Sequence, residues 1–344
     1  MNGQAERLVD RRPALDRGRL LDDLVPPPRF AGARFDTYVP DPAEPSQAAA
    51  RSRLEAFAAS TGATGARGGR LARLLGRRTD DATPRGVYLD GGFGVGKTHL
   101  LAATWHAAAG RRHYGTFVEY TNLAGALGFR GAVDALAGAD LVCVDEFELD
   151  DPGDTVLMAR LMRELADSGT RLAATSNTLP DALGAGRFAA EDFLREIQAL
   201  GRLFEVATVD GEDYRHRGAP QAPGPADEAE LDALAARPGA VVDDFPALCD
   251  HLADVHPSRY GAMLDGVAAV GWRDVRPVPD QNVALRLVVL ADRLYDRSLP
   301  LVAGGRPLTD LFTTEMLRGG YRKKYLRALS RLTALAREAS PAER

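Results

Sequence analysis

Lysine is almost absent from this chain of 344 residues. Of the 43 basic residues only three are lysines, Lys97, Lys323 and Lys324, and the other 40 are arginines. A lysine ammonium is a compact charge on a flexible stem, and a forked guanidinium cannot replace it where space is narrow. The presence of Lys97 in an arginine-rich chain therefore indicates a position that requires the slimmer cation.

Cysteine, histidine clusters and long apolar runs are also scarce. The two cysteines exclude a disulfide framework and a cysteine-rich zinc site, and the six histidines form no H-E-x-x-H pattern. No apolar run approaches the length of a membrane span, and the N-terminus lacks an apolar signal region, so a reduced, cytoplasmic location is expected. The formal net charge of −5 gives no overall basic field, so we expect no nucleic-acid partner.

A glycine-rich stretch around Lys97 matches the phosphate-binding pattern G-x-x-x-x-G-K-[ST], between an apolar strand at 87–89 and a helix at about 97–109. Glycines let backbone N–H groups wrap a phosphate beside the positive end of a helix dipole. Lys97 would reach the β- and γ-phosphates of ATP, and Thr98 would hold Mg²⁺. A chance match is the alternative. The predicted nucleotide-binding residues of this stretch are Gly91, Gly92, Phe93, Gly94, Val95, Gly96, Lys97, Thr98 and His99.

A second apolar strand, starting at Leu141, ends in two carboxylates, Asp145 and Glu146, in the spacing that parallel β/α topology requires after the glycine-rich stretch. Asp145 would coordinate Mg²⁺, and Glu146 would orient the attacking water. The alternative is an acid-rich helix start. Asn177 is the last residue of a further strand predicted at 171–177 and would help to hold the water, because ligands bind at the carboxyl ends of such strands; a turn residue is the alternative.

The remaining pattern predicts an α/β fold, with a P-loop AAA-type parallel sheet flanked by helices and a smaller C-terminal α/β region. Further strands are predicted at 116–120 and 204–209, and helices at 123–136 and about 189–200. The predicted division is a proline-rich arm (1–45), a P-loop ATPase core (46–217), a linker (218–240) and a C-terminal region (241–344).

Two segments outside the phosphate loop are candidates for further contacts with the nucleotide. Ser46 is predicted to cap a helix at 47–59, and Gln47 either shares in capping or recognises the adenine edge. A basic helix at 321–337 carries Arg327 and Arg331. These arginines either form a solvated face, contact the phosphates, or dock a partner.

Several motifs together resemble the AFG-like ATPases, a family with a bacterial cell-division member. They are V-Y-L-D-G-G at 87–92, V-D-E-F-E-L-D-D at 144–151, A-T-S-N at 174–177, F-D-T-Y at 35–38, P-S-Q at 45–47, D-Y-R at 213–215, F-P-A-L-C at 245–249, L-A-D-R-L-Y-D at 290–296 and R-A-L-S-R-L at 327–332. The resemblance covers roughly residues 30–335. It implies an ATPase that works at the division site on polymers of FtsZ, and it leaves a homo-oligomer and peripheral membrane association open.

The sequence departs from this family where an arginine finger is expected. An ungapped comparison puts Ala190 and Asp192 at the family's arginine positions, so Arg187 or Arg195 is the candidate finger. A finger in trans contributes about 10³–10⁵ in rate where it operates. Two other functions remain open: a helicase loader or replication initiator that binds DNA, and a nucleotide-bound scaffold with little turnover.

Overall fold

The computed structural model describes residues 6–14, 20–61, 85–92, 94–147, 152–177, 198, 200–211 and 223–340. Its contacts divide the chain into two units. The P-loop unit comprises Asp16–Pro26 and Phe30–Arg217, and the C-terminal unit comprises Met1–Leu15, Pro27–Arg29 and Gly218–Arg344. Within the described ranges, no helix is both long enough and apolar enough to cross a membrane.

The P-loop unit is built on a five-stranded parallel sheet with the order β2-β3-β4-β1-β5. The strands are β1 (Gly86–Gly91), β2 (Arg112–Thr116), β3 (Leu141–Asp145), β4 (Arg171–Ser176) and β5 (Phe204–Val209). The described helices of this unit are α1 (Pro45–Ala59), α2 (Lys97–Ala107), α3 (Phe117–Leu136) and α4 (Pro152–Ser168). Both faces of the sheet are covered, which confirms the predicted fold class and explains why β3 is buried along its whole length.

Two apolar clusters cover the two faces of this sheet. One cluster joins α1 and α2 to Leu89 and Cys143, and the other joins α3 and α4 to Tyr88 and Val144. Neighbouring residues of one strand thus face opposite clusters, as the two-residue period of a strand requires.

The predicted strand at 116–120 is wrong. β2 ends at Thr116, and α3 begins at Phe117. Thr116 is the N-cap: its hydroxyl accepts a bond from the Glu119 N–H, and the Glu119 carboxylate accepts one from the Thr116 N–H. This capping box starts a helix in a segment whose β-branched and aromatic residues favoured a strand.

The predicted cap at Ser46 is also wrong. Helix α1 begins at Pro45, a favourable first helical residue, and Glu44 is its N-cap. The Ser46 hydroxyl instead accepts a bond of 3.0 Å from the Asp210 N–H, just after β5.

The C-terminal unit is built on a three-stranded parallel sheet with the order β6-β7-β8. Its strands are β6 (Ala240–Asp244), β7 (Ala269–Val275) and β8 (Leu301–Gly305). The described helices are α5 (Glu228–Ala235), α6 (Phe245–Asp254), α7 (Tyr260–Met263), α8 (Gln281–Asp296) and α9 (Arg322–Ala339). Residues from 241 to 336, together with Leu8, form its main apolar cluster.

The segment 218–240, which its composition predicted to be a linker, contains a regular element. Helix α5 starts with a capping box between Asp227 and Glu230, and its Leu231 and Leu234 are buried. Apolar residues at helical spacing after an N-cap outweigh the glycines and prolines that precede them.

The solvated-face interpretation of Arg327 and Arg331 is wrong, because both side chains are buried. Arg327 Nη2 lies 2.9 Å from a carboxylate oxygen of Asp292 on α8, and Arg331 pairs with the same carboxylate. Two arginines on α9 thus share one acidic partner, which ties α9 to α8. Lys323, one turn earlier, is exposed.

Candidate nucleotide-binding site

The glycine-rich loop leaves β1 and enters α2 through backbone conformations that favour glycine. Gly94 and Gly96 have φ of 65° and 91°, and Gly96 is the N-cap of α2. A Cβ on Gly96 would stand 2.6 Å from the ring of Tyr38, whose hydroxyl donates a 3.0 Å bond to the Val95 carbonyl. The loop is therefore fixed from outside by Tyr38 and closes directly on the N-terminus of a helix, where backbone N–H groups favour an anion.

Lys97 is buried and directs its ammonium back over the loop. Its Nζ donates to the carbonyl oxygens of Gly91 at 2.9 Å and Gly92 at 2.5 Å, and to Oδ1 of Asn177 at 2.9 Å. Because β4 is the neighbour of β1, the end of β4 brings Asn177 beside the loop. An ammonium held by three oxygens at this edge can exchange some of them for phosphate oxygens with little movement.

Asp145, at the end of β3, is the most heavily bonded carboxylate of the described site. Oδ2 accepts a 2.8 Å bond from the Tyr114 hydroxyl, and Oδ1 accepts from the hydroxyl of Thr175 and from the Glu146 N–H at 3.1 Å. The Thr98 hydroxyl stands 3.4 Å from Oδ1. These donors fix the orientation of the carboxylate and keep it next to Thr98 of the phosphate loop.

Glu146 adopts a strained backbone conformation. Its φ of 53° is in the left-handed region, which non-glycine residues rarely adopt. Its N–H donates to Asp145 Oδ1 and, at 3.0 Å, to the Thr175 hydroxyl. The next residue, Phe147, is fully buried, and its N–H donates to the Thr175 carbonyl at 2.7 Å. These backbone hydrogen bonds hold the conformation of Glu146, which is partly exposed directly after the end of β3.

Gln47 and His99, which were also predicted to contact the nucleotide, form hydrogen bonds with other residues of the chain. The buried Gln47 amide donates to the Asp210 carbonyl at 2.7 Å and accepts from the Asp41 N–H at 2.8 Å. His99 Nε2 lies 3.0 Å from both the Thr37 hydroxyl and the Arg34 carbonyl. Both side chains thus tie the segment before α1 to the sheet and to α2.

Three predicted site residues lie outside the described residues: Phe93 in the loop, and the candidate fingers Arg187 and Arg195. The D-Y-R motif at 213–215 also lies outside them. Gly91 is described, and a Cβ there would collide with the Val209 carbonyl oxygen, so this glycine is required by close packing of β1 against β5.

Tyr114 and Thr175 were missed as site residues. Thr175 carried a signal, because a hydroxyl two residues before Asn177 in the same strand points to the same face. Tyr114 carried none, since its role depends on which strand lies beside β3.

The residues present fit a nucleotide with its magnesium ion. The described part of the chain has no cluster of three or more histidine, cysteine or acidic side chains that could hold a metal. Mg²⁺ prefers oxygen ligands and usually takes one or two from the protein, with waters and phosphate oxygens completing its shell. Thr98 and Asp145 offer such oxygens next to the loop, so an ion that arrives with a phosphate chain suits these donors.

A parallel sheet with a glycine-rich loop before α2, a lysine over the loop and a carboxylate at the end of a neighbouring strand defines a P-loop nucleoside triphosphatase. The chain belongs to the AFG1-like ATPase family, whose profile matches residues 16–237 and 226–340. The predicted family and enzyme class are confirmed.

Individual relatives match shorter stretches. The chain is 36% identical over 172 residues to the "Cell division protein ZapE" of Escherichia coli (strain K12), covering 44% of each chain. It is 31% identical over 153 residues to the "Chromosomal replication initiator protein DnaA" of a Bradyrhizobium species (strain BTAi1), covering 41% of this chain and 30% of that protein. The chain therefore spans less than half the length of either relative. Among solved structures, the DnaC helicase loader shows 17% identity and a TM-score of 0.37, covering 53% of this chain and 99% of that one.

Proposed function

We propose that this chain is an Mg²⁺-dependent ATP hydrolase that couples turnover to the remodelling of a protein assembly. The observation that carries the proposal is the convergence of Lys97, Thr98, Asp145 and Asn177 at the carboxyl ends of adjacent strands, beside the glycine-rich loop. This edge of a parallel sheet is where ligands bind in α/β folds. Membership of an ATPase family supports the same assignment.

Each side chain has a distinct role in this proposal. Lys97 exchanges its loop carbonyls for oxygens of the β- and γ-phosphates, while Asn177 remains its partner on the side of β4. Thr98 and Asp145 would hold Mg²⁺, which supplies positive charge to the phosphate oxygens when bound. Glu146, directly after Asp145 at the end of β3, orients the attacking water.

The protein partner and the oligomeric state proposed for this chain are those that the family resemblance implies. The Escherichia coli relative is named a cell-division protein. The family resemblance implies FtsZ polymer at the division site, which is therefore the proposed substrate, and recruitment from the cytoplasm to that site, with peripheral membrane association, is part of the proposal. Turnover in a homo-oligomer would need an arginine from a neighbouring copy, and Arg187 and Arg195 are the candidates. Gln47 and His99 are proposed to act on the nucleotide only through the segments they tie down.

Steady-state ATP hydrolysis, measured against protein concentration with and without FtsZ polymer, tests this proposal. We expect specific activity to rise with concentration and with polymer, and Arg187→Ala or Arg195→Ala to abolish that rise while leaving ATP binding intact. Activity that stays near zero with ATP bound would favour a scaffold instead. A salt-dependent shift of DNA by the chain would favour the replication-related alternative, with which part of the chain shares sequence similarity.

A further inference from the structure

An N-terminal segment of the chain, residues 6–11, lies along the open edge of the sheet in the C-terminal unit. β6 pairs with β7 on one side, and Glu6 forms a parallel bridge with Val241 on the other. The Val242 N–H donates to the Glu6 carbonyl at 3.1 Å. The segment therefore satisfies backbone groups that an edge strand leaves open, in the way that a bound peptide extends a sheet.

A buried carboxylate binds the backbone of this segment. Asp243 is fully buried, and its two oxygens accept bonds from the Leu8 N–H at 3.0 Å and the Val9 N–H at 3.1 Å. Burial raises the pKa of Asp243 above its ordinary value, against the opposing effect of these two N–H groups. A carboxylate that is desolvated in order to bind two main-chain donors recognises an extended or turning peptide irrespective of its side chains.

Two side chains of the segment add specificity. Leu8 is fully buried in the apolar cluster of the unit, whose other buried members all come from residues 241 to 336. Three residues later, the Arg11 guanidinium donates to the carbonyls of Met263 at 3.0 Å and Asp265 at 2.8 Å. His251 Nε2 lies 3.0 Å from the Arg11 carbonyl. The contacts thus combine a backbone clamp, an apolar anchor and a cation bound by carbonyls.

We propose that the C-terminal unit carries a binding site for short peptides of the form Leu-x-x-Arg, and that residues 6–11 are its ligand, bound in cis as a releasable latch. Apart from Leu8, the buried members of the cluster that receives it all come from residues 241 to 336, the region that would form the site when the segment is released. The clamp at Asp243 and the carbonyl pair that binds Arg11 both belong to that region. The latch residues belong to the C-terminal unit, whereas the candidate nucleotide-binding residues belong to the P-loop unit.

The full-length Leu8→Asp variant tests the latch, because a carboxylate cannot enter the apolar site and the cis segment should release. A fluorescent peptide with the sequence of residues 4–14 is then added, and its anisotropy is followed without nucleotide. We expect the peptide to bind this variant at least about tenfold more tightly than the wild-type chain, because a tethered segment competes at an effective concentration on the order of millimolar.

Matched variants identify the site. Asp243→Asn, placed in the Leu8→Asp chain, keeps the side-chain volume but turns an N–H₂ toward one of the peptide donors, so we expect binding to weaken at least about tenfold. A peptide that itself carries Leu8→Asp should not bind. Equal binding with and without Asp243→Asn, or equal binding to wild type and variant, would overturn the proposal.

A second variant, Arg11→Ala, keeps the proposal testable if the Leu8→Asp chain does not fold. Arg11→Ala removes the bonds to two backbone carbonyls and leaves the apolar cluster intact, so it should also release the segment in part and admit the wild-type peptide. Unchanged ATP binding would show that the P-loop unit is intact in both variants, and near-UV circular dichroism would report on the buried Trp272 of the C-terminal unit. Absence of peptide binding to both folded variants would refute the latch.

Discussion

Replacing Tyr114 by phenylalanine removes a single hydroxyl from the candidate site. That hydroxyl donates to Asp145 Oδ2 at 2.8 Å, and the ring is almost fully buried in the cluster that contains Leu89 and Cys143. Phenylalanine keeps the ring and its packing. Asp145 would retain its bonds from Thr175 and from the Glu146 N–H on the other oxygen, but Oδ2 would lose this donor.

The size of the effect follows from the charge of the acceptor. A hydrogen bond to a charged group contributes about 1.5–3 kcal/mol, against about 0.5–1.5 kcal/mol for a neutral pair. In a unit of about 150–250 residues, each kcal/mol corresponds to about 2–4 °C in melting temperature, so Tyr114→Phe should lower the Tm by roughly 3–12 °C. The carboxylate would also be held less firmly beside Thr98, so a higher Mg²⁺ concentration should be needed for half-maximal ATP hydrolysis.

Tyr120 provides the matched control. It is equally buried, and its hydroxyl donates at 3.1 Å to the Cys143 carbonyl, a neutral acceptor on the same strand as Asp145. Thermal unfolding and Mg²⁺ titration of both variants form the assay. Tyr120→Phe should lower the Tm less and leave the Mg²⁺ requirement unchanged. Identical melting shifts and identical Mg²⁺ curves for the two variants would refute the reasoning that the bond to Asp145 matters for the site.

Two further predictions concern the loop and the thiols. Gly96→Ala should abolish binding of a fluorescent ATP analogue, because φ is 91° and the new Cβ would stand 2.6 Å from Tyr38; Gly125→Ala, with open space around its Cβ, should bind normally. Burial raises the pKa of Cys249 to about 12 and that of Cys143 well above its ordinary value, so neither thiol should react with a disulfide reagent at about pH 8 in the native chain, and both should react after unfolding. Rapid labelling of a native thiol, or normal nucleotide binding by Gly96→Ala, would contradict these expectations.

The parts of the fold that sequence predicted well are those whose signals are local. The strand, glycine-rich loop and helix around Lys97 lie in one short stretch, and β5 alternates more and less exposed residues along most of its predicted span. The capping box at Thr116 is also a local signal. The segment 116–120 nevertheless has a strong strand propensity, and it was therefore predicted as a strand although it begins a helix. Propensity is overruled when a side chain satisfies the first helical N–H groups.

The parts that sequence could not predict depend on long-range neighbours. The Tyr114 hydroxyl reaches Asp145 because β2 lies beside β3, and the sequence around Tyr114 does not specify that strand pairing. The bond between Leu8 and Asp243 joins residues 235 positions apart. The arginines of α9 looked like a solvated face because their partner, Asp292, lies on another helix. A buried charge can be predicted only when the position of its oppositely charged partner in the fold is also known.

Glu146 is proposed to activate water for hydrolysis while the loop binds ATP, and a comparison of Glu146→Gln with Lys97→Ala separates these two roles. ATP affinity and single-turnover hydrolysis are measured for both variants and the wild-type chain. We predict that Glu146→Gln binds ATP like wild type but turns it over about 10²–10⁴-fold more slowly, and that Lys97→Ala loses affinity itself. Normal turnover by Glu146→Gln would contradict the assignment.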